Sequence, residues 1–161
     1  MKRWILVMFM PLLLLGCSGE ETFETVADEQ ILSVMATPRQ ILVELPENTV
    51  APVLSGENEQ LYLCQDHEIL LETLPAGDLQ KTIRTICGYE KENLTLIQTQ
   101  RDDVSRYEFV WAAAGENGDR LGRAVILDDG QYHYCMSVLR DAWGENNEAD
   151  WNQVFSSFSV T

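Results

Sequence analysis

Past about Arg39 the apolar positions fall into short runs separated by polar turn residues, with the two-residue period of half-buried strands. Residues 40–45 predict a strand stopped by Pro46. Residues 47–59, with Pro52, Gly56 and two asparagines, predict a loop holding one turn of helix. Residues 61–64 and 68–74 predict a hairpin turned at Gln65-Asp66-His67. The period then lengthens. Asp78 is a good N-cap, Leu79, Ile83, Ile86 and Cys87 lie at i, i+4, i+7 and i+8, and Gly88 sits where a left-handed C-terminal residue belongs. Strand patterning returns at 94–99 and continues as a meander over 107–113, 123–127 and 131–139. Its turns are Glu116-Asn117-Gly118-Asp119 and Asp128-Asp129-Gly130.

Within the meander, Tyr107, Phe109, Trp111 and Ala113 share one face of their strand. Tyr132, Tyr134, Met136 and Val138 share one face of theirs. Pairing these strands predicts one aromatic-rich sheet face that needs a cover. The 78–87 helix supplies part of it. A second helix carries Trp151, Val154, Phe155 and Phe158 at i, i+3, i+4 and i+7, with Asn146-Asn147 placed to cap it. Strands in runs with two helices, without βαβ spacing, give an α+β fold with a mainly antiparallel sheet. The order strand, hairpin, helix, meander, C-terminal helix is similar to the PsbP-like fold of small exported lipoproteins and thylakoid-lumen proteins. Val154-Phe155-Ser156-Ser157-Phe158 resembles that family's closing motif. The likeness spans residues 40–161 and implies a binding or assembly factor rather than an enzyme.

The N-terminus has a different character. Lys2 and Arg3 precede an apolar stretch, Trp4 to Leu15, interrupted by Pro11. It is shorter than the ~20 residues a permanent span requires, and it reads as a secretory signal. The alternative within that reading is a plain signal with an incidental thiol. Leu14-Leu15-Gly16-Cys17, however, resembles the lipobox of bacterial lipoproteins. That resemblance implies cleavage behind Gly16 and a diacylglycerol thioether on Cys17, with palmitate-type chains anchoring the protein on the extracytoplasmic face of the cell membrane. Each buried CH₂ contributes ~0.8 kcal/mol, so two or three chains anchor stably without a spanning helix. The expected organisation is a signal peptide over 1–16, a lipidated N-terminus and acidic tether over 17–38, and one α+β domain over 39–161. Residues 18–29 are polar and acidic, with only Phe23, Val26 and Ala27 apolar, and like-charge repulsion extends such a segment.

Charge narrows the partners. The chain of 161 residues carries 26 acids against 11 Lys and Arg, a net −15, and losing Lys2 and Arg3 makes it −17. Nucleic acid and electrostatic docking on an anionic bilayer both require clustered cations and are excluded. The expected partners are the membrane through its lipid, and another envelope protein or a small ligand.

Candidate chemistry is sparse. Beyond Cys17, the thiols are Cys64, Cys87 and Cys135. Outside the cytoplasm a Cys64–Cys87 bridge is permitted: a strand of ~20 Å leads away from the hairpin tip, and a helix of ~14 Å returns toward it. The other reading is three free thiols packed as small hydrophobes. His133 and Cys135 lie two apart on a strand, the minimum for a Cys–His nucleophile, but packing explains them better. Asp66-His67-Glu68, Asp102-Asp103 and Asp128-Asp129 fit turn chemistry rather than metal spacing. No metal, no cofactor and no catalytic signature is expected. The rival reading is an enzyme acting on cell-envelope glycan through two carboxylates. It requires them ~5–9.5 Å apart across a groove, and Glu108 has no evident mate.

Overall fold

The computed structural model describes residues 36–115, 118–141 and 148–161. The signal sequence, Cys17, the tether through residue 35, the Glu116-Asn117 part of the hairpin turn and the expected Asn146-Asn147 cap lie outside these residues. The described elements are β1 (Ile41–Leu42), β2 (Leu54–Ser55), β3 (Glu59–Leu63), β4 (His67–Pro75), α1 (Leu79–Cys87), a 3₁₀ turn (Lys91–Asn93), β5 (Ile97–Arg101), β6 (Val104–Gly115), β7 (Gly118–Asp128), β8 (Tyr132–Asp141), α2 (Glu148–Ser157) and β9 (Ser159–Val160). The fold is α+β, and every strand pair is antiparallel. Seven strands form one sheet in the order β2-β3-β4-β8-β7-β6-β5, and β1 pairs with β9 apart from it.

Local signals account for α1. The Asp78 side chain accepts from the Gln80 amide at 3.0 Å, and Gly88 takes φ 77° where a Cβ would be strained. Its amide closes the helix on the Arg84 carbonyl at 2.8 Å.

The expectation of a single aromatic face is corrected. Register places Phe109 opposite Ala124, and Ala124 opposite Ser137. It places Tyr107 opposite Ile126, and Ile126 opposite Cys135. Tyr134 and Met136 therefore point to the other side of the sheet from Phe109 and Trp111. Each helix covers its own face. Ile83 of α1 packs with Phe109, Trp111, Ala124, Ile126 and Cys135. Trp151, Val154, Phe155 and Phe158 pack on Ile69, Leu71, Val125, Leu127, Tyr134, Met136 and Val138. On the α1 side the Trp111 indole fills the space over Gly122, where a Cβ would lie 2.1 Å from the ring.

Several short elements are set by tertiary contacts rather than by their own sequence. The 40–45 strand shrinks to two residues against β9, and the 47–59 loop holds β2 instead of a helical turn. The segment from Ala36 to Leu45 runs along the α2 side, with Ile41, Val43 and Leu45 packed against that core. The Ala36 amide already donates to Gln131 Oε1 at 3.0 Å, so attachment begins before residue 39.

Candidate functional site

The three thiols of the described residues are free, so the Cys64–Cys87 bridge is not made. The reason is where α1 docks. It covers β6, β7 and β8, and Cys87 joins that cluster with its thiol donating to the Ile83 carbonyl. Cys64 sits in the β3–β4 turn at the far side of β4. The α1 return carries Cys87 over the centre of the sheet, not back over β3.

His133 and Cys135 do point the same way on β8, each 1% exposed. The His133 ring shares a 2.9 Å hydrogen bond between Nδ1 and Thr82 Oγ1, and its Nε2 lies 3.7 Å from Asp128 Oδ2. This pins α1 to the sheet. Burial, with the Glu72 charge on β4, pushes the Cys135 thiol far above its ordinary value. A nucleophile must be a thiolate. This thiol stays protonated and sealed, so the pair is packing.

His67 is a residue that sequence reasoning placed wrongly. It opens β4, buried, rather than turning the hairpin. Asp66 Oδ1 lies 2.7 Å from its Nδ1, and its ring meets Trp151 edge-on at 4.9 Å. The alternation His67, Ile69, Leu71 carried that signal, because all three face the α2 core.

The acidic turns behave as turns. Asp102 takes φ 54° between β5 and β6. Asp128 accepts from the Gly130 amide. Asp129 joins a larger clamp. Its Oδ1 accepts from the Gln131 and Tyr132 amides, its Oδ2 from the Tyr134 hydroxyl at 2.9 Å, and Arg39 Nε lies 3.4 Å away. Burial alone would raise the Asp129 carboxyl, but these bonds and the Arg39 charge together hold it below the ordinary range. Arg39 also bonds Asp103 at 2.5 Å and gives its amide to Tyr134 Oη at 2.9 Å. The clamp ties Arg39, just ahead of β1, to the β7–β8 turn and to β8. Among the described residues no group of three His, Cys, Asp or Glu is placed to hold a metal.

Two surfaces among the described residues bear on the expected carboxylate chemistry and on binding. One is a groove of about 390 Å³ on the α2 side, walled by Ile97, Val110, Leu121, Trp151 and Phe155. Glu108 is the one acid among its described lining residues, so it offers no carboxylate pair. It is also spent. Arg123 Nε donates to Oε1 at 2.9 Å with a second, shorter bond from Nη2, and Arg106 lies 3.4 Å from Oε2. The Arg123 guanidinium in turn lies 4.1 Å above the Phe155 ring.

The other surface is open sheet. On the α1 side of β2, β3 and β4, Leu54 pairs with Leu61 and Leu61 with Leu70, a cross-strand row of leucines. Leu63 lies on the same side. Leu54 and Leu63 are 44% and 45% exposed. None of the four belongs to either core cluster. Beside the row, Glu59 and Glu72 are direct cross-strand partners. Burial first, and the Glu59 charge second, raise the Glu72 carboxyl above its ordinary value. Among the described residues neither carboxylate has a hydrogen bond or a cation, whereas Glu68 nearby is met by Arg120 at 2.7 Å.

No protein-family model matches the chain, and no curated protein is similar to it at a significant level.

Proposed function

We propose that this chain is a bacterial-type lipoprotein, held on the extracytoplasmic face of the cell membrane by acyl chains on Cys17, and that it works as a non-catalytic binding or assembly module. The observation that carries the reading is the sequence Leu14-Leu15-Gly16-Cys17 at the end of a charged and then apolar leader. Two features of the described residues agree with it. No described helix is long and apolar enough to cross a membrane, which is compatible with a lipid anchor. The strand thiol best placed beside a histidine is buried, with its ionisation pushed upward.

The test is the intact mass of the mature protein extracted from membranes. The expected species begins at Cys17 and carries acyl mass, which Cys17→Ala abolishes along with detergent-phase partitioning. An unmodified chain that stays in the aqueous phase would overturn the reading.

A further inference from the structure

Among the described residues no helix packs over the α1-side surface of β2, β3 and β4, where Leu54 and Leu63 are exposed and Leu61 and Leu70 half-buried. α1 spends its apolar stripe on β6, β7 and β8. The remaining three strands, ~4.8 Å apart, present a strip about as wide as one helix, ~10–12 Å. Its floor is Leu54, Leu61, Leu70 and Leu63. Its charge is the unrelieved Glu59–Glu72 pair, two carboxylates held side by side where each raises the energy of the other. Glu68, Glu108, Asp103 and Asp129, by contrast, each have an arginine.

We propose that this strip is the docking site for one basic amphipathic helix of a partner protein, laid alongside α1 with apolar side chains on the leucine row and a lysine or arginine between Glu59 and Glu72. This deepens the binding-module reading and rests on it for the binding role, but not on the lipid anchor. Charge selects the occupant. A second copy facing this strip would set Glu59 and Glu72 against their own equivalents, in a chain of net −15. Residues 18–29 of this chain carry acids and no cation, so they are repelled too. An anionic bilayer is repelled for the same reason. A partner cation gains twice, since it meets two carboxylates and removes their mutual repulsion.

The experiment uses the whole mature chain with Cys17→Ala and two synthetic helical peptides of about five turns. One has Leu on one face and Lys on the other, and the second has Glu in place of Lys. Titration calorimetry is expected to show binding of the Leu–Lys peptide only. The double variant Glu59→Gln/Glu72→Gln should weaken it about tenfold, and Glu47→Gln/Glu92→Gln should leave it within about twofold. Leu61→Asp should abolish it, and if that variant fails to fold, the glutamine pair carries the test alone. Amide exchange should slow in β2–β4 on binding. Equal loss in both glutamine pairs, protection elsewhere on the domain, or equal binding of the Leu–Glu peptide overturns the proposal. So does a dimer by sedimentation that Leu61→Asp dissolves, because the strip would then belong to a second copy. Failure of this inference leaves the acyl mass on Cys17 untouched, so the two claims fall separately.

Discussion

The two sides of β3 are made from adjacent residues and meet opposite fates. Tyr62 turns to the α2 side, where it joins Ile69, Leu71 and the incoming Ile41, Val43 and Leu45. Its neighbours Leu61 and Leu63 turn the other way and join no core cluster. The sheet is built the same on both sides; the difference lies in what the chain has available to cover it. The α2 side receives a helix, an extended N-terminal segment and a small β1–β9 pair. The α1 side receives one nine-residue helix, which the Thr82–His133 bond and the Ile83 contacts hold over β6–β8, together with Leu94 and Leu96 of the segment after it. Among the described residues, burial is complete on the α2 side, while on the other side Leu54 and Leu63 of β2 and β3 stay exposed.

The comparison can be broken by mutation. Phe155→Ala, under α2, should destabilise by about 3–5 kcal/mol, and Ile83→Ala, under α1, by about 2–5 kcal/mol, both read from urea unfolding. Gly122→Ala drives a methyl into Trp111 and should cost about 1–3 kcal/mol in the same assay, with a change in indole fluorescence. Asp78→Ala removes the α1 cap and should cost about 0.5–2 kcal/mol. At the bottom of the scale, Leu61→Ser should cost about 0.5–1 kcal/mol, because Leu61 is half-buried and lies outside both core clusters. A loss at Leu61 as large as that at Ile83 would mean the strip is covered after all.

The titrating groups sharpen the same contrast. The Glu72 carboxyl is raised in the folded state, so the native protein holds its proton longer than the unfolded chain. Stability therefore falls as pH rises from the ordinary glutamate value through the folded one, and the penalty persists above it. Glu72→Gln should be more stable than wild type at neutral pH, with the advantage vanishing in acid. Asp129 runs the other way. Its carboxyl is lowered, so its contribution is present above the unfolded value and is lost as pH falls through the folded one. Asp129→Asn should be less stable at neutral pH and should converge on wild type in acid. Thermal unfolding of both variants between about pH 3 and 7 reads the two signs together.

What the sequence disclosed divides along the line between local and non-local physics. α1 was legible in full, since Asp78, the 79/83/86/87 stripe and Gly88 are signals a few residues apart that agree. The meander strands were legible for the same reason. Which side each stripe faces was not, because Phe109 and Tyr134 are sorted only by a register running through Ala124, Ser137, Ile126 and Cys135. The leucine row was hidden on the same account. Leu54, Leu61 and Leu70 come from three strands and become neighbours only once those strands pair. His67 was misread because a histidine after Gln65-Asp66 looks like turn chemistry, and only the packing of Trp151 against its ring makes it core. Leu14-Leu15-Gly16-Cys17 is the reverse case, a purely linear pattern on which the proposed anchor rests without any packing.

Hydroxyl-radical footprinting of the β2–β4 leucines asks the central question directly, by comparing the protein in native membranes with the purified mature chain. Exposed Leu54 and Leu63 should oxidise readily in the purified chain and be protected in membranes, while exposed Val50 oxidises alike in both. Equal oxidation of the leucines in the two states would contradict the account, since the bare side of the sheet would then be bare where the protein works.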